Sequence, residues 1–399
     1  MTARTRPAAP AAVRVAIIYV IARLVTTGFL LIAATLSGPT SRFGADADLG
    51  ALSMGWDGQW YWLVGTTGYP DTLPRDDSGD VTQNTWAFMP LYPALSRALS
   101  VVFGSYPVAA VLLALVAGYV ACLALFHLLR ERIDATSAFW AVALFAAGPM
   151  GALFQMGYAE TLFLTWLFLA LWALMRRRFV WLYVLIPLMA YTRPGVLAFS
   201  LLLALYGIHR WWRRRADPLP AGQIVHIVAL GLWAAALGFS WQFIAAAATG
   251  DPSAYMDTEL SWRQSWTGDH ESGFVPFSGF VQAAAIWFRL WGLPEVLGYV
   301  ALAAAVIATA AVLLFSRHVR RLGPVIRLWS ASYILYLLAV FFPQSSIFRL
   351  LLPLAPLYGA LAVPRSLAWR LAMLALGLVG QAWWIYQMLA LGNTYAQIP

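Results

Sequence analysis

Residues 106–129 read YPVAAVLLALVAGYVACLALFHLL and are followed at once by Arg130-Glu131-Arg132. A helix needs ~20 apolar residues to cross a bilayer, so this stretch is long enough to span alone. The arginines that end it mark the side on which it stops. Ten further apolar stretches lie at about 15–36, 135–155, 158–175, 179–191, 194–209, 223–247, 294–316, 325–342, 346–363 and 369–391. The chain of 399 residues is 61% hydrophobic and 11% charged, against about 45–50% and about 25% for a soluble domain. That excess excludes a soluble enzyme, a disordered chain and a disulfide scaffold. The fold class is an all-α polytopic membrane protein of about 11 transmembrane helices.

All 26 basic residues are arginine, against 17 acidic ones, for a formal net charge of +9. In a soluble protein that surplus would raise a nucleic-acid partner; here it reads first as the cytoplasmic bias of a membrane protein. The clusters Arg4/Arg6/Arg14, Arg130/Arg132, Arg176/Arg177/Arg178, Arg210/Arg213/Arg214/Arg215, Arg317/Arg320/Arg321/Arg327 and Arg365/Arg370 hold 18 of the 26. All fall on one side if each stretch crosses once. The acidic residues sort oppositely, with Asp46, Asp48, Asp57, Asp71, Asp76, Asp77 and Asp80 in one outer segment and Asp251, Asp257, Glu259, Asp269, Glu271 and Glu295 in another. Both distributions place the N-terminus inside and the C-terminus outside. The first stretch follows basic residues as a signal peptide does, but its length and Arg23 favour an uncleaved anchor. Cys122, the single cysteine, reads as a packing residue.

The chain reads as one transmembrane domain over 1–399 with two long extracytoplasmic loops, 37–105 and 249–293. Long loops on one face are where chemistry is housed. Trp56, Trp60, Trp62 and Trp86 lie in the first and Trp262, Trp266, Trp287 and Trp291 in the second, which predicts loops lying on or dipping into the outer surface. The stretch from Trp86 to Phe103 reads as an interfacial or half-buried helix. Between the basic clusters at 176–178 and 210–215 the chain must go in and return, with too few residues for two full crossings. The turn Tyr191-Thr192-Arg193-Pro194-Gly195 is therefore expected below the outer surface, lining a cavity or at the headgroup level.

Within Gly55-Trp56-Asp57-Gly58-Gln59-Trp60-Tyr61-Trp62, Asp57 is flanked by aromatic rings and has few charges to lean on. Desolvation there would push its carboxyl toward the range of a general base, although Asp57-Gly58 would equally serve as a turn or helix cap. Glu160, Arg193 and Arg349 stand where charge is expensive, a central intramembrane charge costing ~3 kcal/mol. By the topology above all three share the outer level with Asp57. The guanidinium fork suits phosphate, so Arg193 and Arg349, with Glu160, are candidate donor-phosphate residues; an ion pair that only locks helices is the alternative for each. Sugar or lipid contacts are expected from Trp56, Gln59, Trp60, Tyr61 and Tyr92. His270, the one outer histidine, joins them as a second acid/base group or a polar loop residue. Asp46-Ala47-Asp48 resembles a metal-holding carboxylate pair, a spacing common by chance, and Asp71, Asp76, Asp77 and Asp80 read as a solvated acidic loop. No metal site is assigned, and no nucleotide-binding, hydrolase or zinc motif is present.

Trp56-Asp57-Gly58-Gln59-Trp60-Tyr61, Gly68-Tyr69 and Phe88-Met89-Pro90-Leu91-Tyr92-Pro93 together resemble the first-loop signature of the PIG-V-like mannosyltransferases. These are membrane glycosyltransferases of the GT-C class, related to GPI mannosyltransferase 2 and widespread in actinobacteria. Tyr158-Ala159-Glu160-Thr161 is similar to the family's Tyr-x-Glu-Ser stretch, Thr192-Arg193-Pro194-Gly195 to its Thr-Arg-Pro turn, and Arg349 through Pro353 to Pro356 to its late Arg-Tyr-Leu-x-Pro region. Leu350 and Thr161 depart from the family's Tyr and Ser. The resemblance implies a GT-C-type fold in a bacterial plasma membrane and a polyprenyl-phosphate mannose donor used on the outer face. The acceptor it implies is lipid-linked or a glycolipid. Asp57 would take the proton of the acceptor hydroxyl, and Arg193 and Arg349 would hold the leaving phosphate. The scheme requires no metal or other cofactor. A lipid-sugar flippase, or a GT-C enzyme using another polyprenyl-phosphate sugar, is the alternative; the absence of a repeat and the gathering of unusual charges at one face favour an enzyme.

Overall fold

The computed structural model describes residues 9–45, 47–268 and 273–394, and the Ser265 side chain is not described. The described residues are helical, with no strand beyond one isolated bridge, Arg75 to Val81. The longer helices are α1 (Ala11–Leu36), α2 (Asp57–Thr67), α3 (Leu91–Phe103), α4 (Tyr106–Arg130), α5 (Ala135–Ala146), α6 (Glu160–Met175) and α7 (Phe179–Ala190). They continue with α8 (Val196–Trp212), α9 (Ala221–Thr249), α10 (Ala254–Thr267), α11 (Ser278–Leu290), α12 (Glu295–Phe315), α13 (Gly323–Val340) and α14 (Leu367–Ile385). Shorter helices are named by their residues.

All eleven apolar stretches coincide with helix, but not with eleven equal spans. Among the described residues α1, α4, α9, α12, α13 and the segment Leu367–Leu391 are long and apolar enough to cross a membrane, at 18 to 29 residues. At 1.5 Å per residue these are about 27–44 Å long. Helices α5, α6, α7 and α8 are shorter. The stretch 346–363 is not one helix: it divides into Ile347–Leu350, a 3-10 turn at Leu352–Leu357 and Tyr358–Ala362. Pro353 and Pro356 each lack an N–H and cannot complete an α-helical ladder there. Large apolar side chains, among them Ile21, Leu24, Leu232, Phe243, Val300 and Ile307, lie exposed along α1, α9 and α12. A surface this apolar is lipid-facing, and the chain is a multi-pass integral membrane protein.

Small residues let the inner helices approach closely. Helix α4 packs chiefly on α6 and buries Ala109, Ala110, Ala114, Ala117, Gly118, Ala121 and Cys122, the small-residue seam that membrane helices use in place of a hydrophobic drive. A Cβ at Gly118 would come within 2.5 Å of the Tyr19 hydroxyl. Arg23 is buried near the middle of α1 and donates to the carbonyls of Ala146 and Gly151, while Gln381 donates to the Gly148 carbonyl at 3.2 Å. Those carbonyls are released where α5 breaks into the 3-10 turn Gly151–Gln155. Unpaired backbone at this depth must be satisfied by protein, which gives the charge on α1 its reason.

The arginine clusters meet at one end of the bundle. Asp217 pairs with Arg177 at 2.6 Å and Arg210 at 3.2 Å, Glu131 with Arg176 at 3.5 Å, and Arg14 lies 3.9 Å over the Phe139 ring. At the other end the two long segments touch through Arg75 and Asp251, 3.2 Å apart. The acidic loop is closed locally, since the Ser78 and Asp80 amides donate to Asp76 at 2.9 and 3.0 Å. Trp86 departs from the expected surface position: it is buried, stacked on Tyr69 with ring centroids 4.6 Å apart, and its carbonyl accepts from the Trp241 indole at 2.9 Å.

Candidate functional site

Four charged side chains from four separate segments converge on one cavity of about 520 Å³ at the end away from the arginine clusters. Asp57 is the first residue of α2 and Glu160 the first of α6. Arg193 sits in the turn between α7 and α8, and Arg349 on the four-residue helix Ile347–Leu350. Each stands at a helix end or in a break, where irregular backbone aims a side chain inward.

Local backbone explains the aim. Trp56 precedes α2 with φ 55°, a left-handed conformation costly for a bulky residue and sustained only where the surroundings hold it. Its indole donates to the Met388 carbonyl at 2.9 Å, and the Arg42 guanidinium lies 4.1 Å over its ring. This kink turns Asp57 toward the cavity. Gly195 at φ 130° reverses the chain between α7 and α8, a conformation only glycine adopts freely. It leaves Arg193, Pro194 and Gly195 on the cavity wall, where the short hairpin was expected to turn.

The charges alternate along a chain. Arg349 Nη1 pairs with Asp57 Oδ2, Arg349 Nε lies 3.4 Å from Glu160 Oε1, and Glu160 Oε1 pairs with Arg193 Nη1. The side chains are only 3–20% exposed, so these are desolvated pairs. Tyr158 supports the set from behind, its ring 5.5 Å beneath the Arg349 guanidinium. The expectation that Asp57 has few charges to lean on is overturned: the kink and the break at 347–350 bring Arg349 directly onto it. Neither Glu160 oxygen, nor Arg193 Nη1, nor Arg349 Nε has an aligned hydrogen-bond partner.

The other expected contacts divide. Tyr61 lines the cavity one turn beyond Asp57, and its carbonyl accepts from the Tyr106 hydroxyl at 2.7 Å. Gln59 points out of the α2 face opposite and is exposed. Trp60 lies behind the wall, stacked on Phe88 at 5.7 Å. Trp56 packs on Arg42 and Met388 instead, and Tyr92 is fully buried, donating to the Ala110 carbonyl at 2.8 Å. Trp56, Gln59, Trp60 and Tyr92 are therefore off the cavity; on α2 a helix presents only positions three or four apart to one side, so Asp57 and Tyr61 share the cavity face and Gln59 and Trp60 do not. His270 and Asp46 lie outside the described residues. Asp48 caps the helix Leu49–Ser53, accepting from the Ala51 amide at 2.7 Å. No group of three or more metal-ligating side chains occurs among the described residues.

The opposite wall comes from residues not singled out in sequence. Tyr255, Glu259, Trp262 and Arg263 of α10 line the cavity, with Tyr333 and Tyr336 of α13 and Gln242 of α9. Burial pushes the Glu259 carboxyl up to about 7, partly offset by its hydrogen bond with Tyr255. The spacing i, i+4, i+7, i+8 on α10 is the available signal, one polar-aromatic face of a helix.

No protein-family model and no curated protein matches this sequence. Among the solved structures that resemble the chain in three dimensions are two proteins bound to polyprenyl phosphates. ArnT from Cupriavidus metallidurans, bound to undecaprenyl phosphate, is 13% identical with a TM-score of 0.47, over 90% of this chain and 62% of its own. The archaeal oligosaccharyltransferase AglB from Archaeoglobus fulgidus, in complex with an inhibitory peptide and a dolichol-phosphate, is 16% identical with a TM-score of 0.39, over 95% of this chain and 56% of its own. The chain spans less than two thirds of the length of either.

Proposed function

We propose that the protein is an inverting GT-C membrane glycosyltransferase that moves a mannosyl residue from polyprenyl-phosphate mannose to a lipid-linked or glycolipid acceptor. The observation that carries this reading is the convergence of Asp57, Glu160, Arg193 and Arg349 on one cavity. The cavity offers carboxylate, guanidinium and apolar wall together, and its volume of about 520 Å³ lies in the range of small-molecule sites.

The acceptor oxygen attacks the anomeric carbon, its proton passes to Asp57, and the bond from that carbon to the phosphate oxygen breaks with inversion. Negative charge returns to the polyprenyl phosphate as it leaves, and Arg193 and Arg349 stabilise it there. An arriving phosphate competes with Asp57 for Arg349, so donor binding itself releases the carboxylate for proton transfer. Glu160 keeps both arginines oriented. Apolar side chains of the same cavity, including Leu197, Leu237, Phe239 and Val340, give the lipid tail a path between helices. In this reading the arginine-clustered end faces the cytoplasm, as the positive-inside rule favours, and the cavity serves the outer face of a bacterial plasma membrane.

The test is transfer of labelled mannose from polyprenyl-phosphate mannose to a membrane-lipid extract by the purified protein in nanodiscs. A new labelled glycolipid is expected from the wild type, with a rate about 10²–10⁴-fold lower in Asp57→Asn. Equal product in Asp57→Asn, or donor movement across the bilayer without product, overturns the reading; product only with another polyprenyl-phosphate sugar reassigns the donor.

A further inference from the structure

The cavity has two polar ends of different character. One is ionic and balanced, two arginines against two carboxylates around Tyr61. The other is carried by α10, where Glu259 and Tyr255, one turn back, both line the cavity and Glu259 shows no ion pair among the described residues. Tyr336 of α13 lies between the ends, within electrostatic reach of both Arg193 and Glu259. Its hydroxyl and the Gln242 amide make no side-chain hydrogen bond among the described residues, although both line the cavity. Trp262, braced edge-on at 5.5 Å from Trp60 and 6.1 Å from Phe88, adds flat apolar surface to the same wall.

We propose that this α10 wall is the acceptor subsite, with Glu259 its specificity-determining group, and that it takes a neutral, hydroxyl-bearing ring such as a sugar or cyclitol. The inference rests on the transferase reading and names the acceptor class for the same cavity. The chemistry of the wall argues for it: carboxyl, amide and phenol groups are planar or directional partners for adjacent hydroxyls, and an indole gives the ring a face to lie on. An anion belongs at the arginine end and is repelled by ionised Glu259. Among the described residues of this wall a cation would find Glu259 as the one carboxyl, with Arg263 on the same helix face and Arg193 lining the same cavity. Half-protonated near neutral pH, Glu259 can either donate to or accept from a hydroxyl.

The full-length protein in nanodiscs is tested with methyl α-mannoside and myo-inositol as neutral probes, glucosamine as cation, mannose 6-phosphate as anion, and decaprenyl phosphate as donor-end ligand. Saturation-transfer NMR is expected to detect at least one neutral probe on the wild type. Glu259→Ala should weaken that probe about tenfold while leaving decaprenyl phosphate affinity unchanged. Glu259→Gln, which keeps shape and hydrogen bonding, should lie between. In turnover assays acceptor KM rises in Glu259→Ala with kcat held within about threefold, a split that a purely structural role would not give. Binding of neither neutral probe, equal binding by both variants, or tighter binding of glucosamine or mannose 6-phosphate overturns the proposal. Glu259-dependent binding of a neutral probe in a protein that neither binds decaprenyl phosphate nor transfers sugar keeps the subsite and removes the transferase reading.

Discussion

Asp57 and Arg349 hold each other 292 positions apart in sequence, and neither is comfortable without the other. The Asp57 side chain is 20% exposed and the Arg349 side chain 10%, so truncating one leaves a largely desolvated charge. Removing one partner of a buried pair costs roughly 3 kcal/mol or more, whereas removing both costs less than the sum. Arg349→Ala should therefore lower thermal stability substantially, and adding Asp57→Ala to it should restore part of the loss. Melting curves of the two single variants and the double variant in one detergent check this; strict additivity would mean that the two side chains do not act as a pair. Glu160 complicates the cycle in a useful way. It lies 3.4 Å from Arg349 Nε, so Arg349→Ala also strips one of its two cations, and the recovery in the double variant should be partial. The same chain explains why its four charges tolerate a level where one alone would cost ~3 kcal/mol.

At the scale of elements, α10 shows what a helix in a long connecting segment contributes when one face is polar and aromatic. It buries Ala254, Thr258 and Ser261 and presents Tyr255, Glu259, Trp262 and Arg263 to the cavity. It packs against α9 and the 3-10 turn Thr85–Ala87, which carries no titratable side chain. Among the described residues, Tyr255 one turn back and Tyr336 across the cavity lie within electrostatic reach of Glu259, and Arg193 and Arg263 line the same cavity. Its carboxyl moves from 4.5 up to about 7, so the folded state holds a proton there that the unfolded state releases. Stability should fall as pH rises between those two values and level off above the upper one. Melting temperatures from pH 5 to 8 should drop by a few degrees through this group in the wild type, with a shallower slope in Glu259→Gln; identical slopes would show that Glu259 does not keep its proton in the fold. Legibility in sequence follows the same physics. Glu160, Arg193 and Arg349 are readable as one level because charge in or between apolar stretches needs a reason, and Asp57 joins them as a carboxylate flanked by aromatic rings in the adjoining long segment. Their pairing order is not, since it depends on the kink at Trp56 and the break at Pro353 and Pro356. The α10 wall escapes because a tally of outer acids treats Glu259 as solvated, and only its four-residue rhythm with Tyr255 and Arg263 shows a face. The aromatic residues around Asp57 mislead for the converse reason: proximity in sequence on a helix puts Gln59 and Trp60 on other sides.

For the whole molecule, the separation of charge decides which compartment the cavity serves. Contacts gather arginines from the segments at 14, 130–132, 176–178, 210–215 and 370 at one end, through Asp217, Glu131, Phe139 and Ser137. The cavity with Asp57 opens at the other, beside the acidic loop tied by Arg75 to Asp251. Positive charge is retained on the cytoplasmic side of short loops, and the two ends cannot exchange without carrying these eleven arginines across hydrocarbon. Cys122, the single cysteine, is buried in α4, so Cys122→Ala provides a background without native thiols. Ser78 in the acidic loop and Ala216 beside Asp217 are both exposed, one at each end. In intact cells a membrane-impermeant maleimide should label Ser78→Cys and spare Ala216→Cys, and permeabilisation should make both reactive. The opposite pattern would place the cavity in the cytoplasm, where a soluble nucleotide sugar could reach it, and would remove the reason to require a lipid-carried donor. Labelling of both in intact cells would separate the charge distribution from topology altogether. The expected pattern would support the proposed lipid-carried donor, because a sugar used in an outer-face cavity can be delivered by a carrier that resides in the membrane.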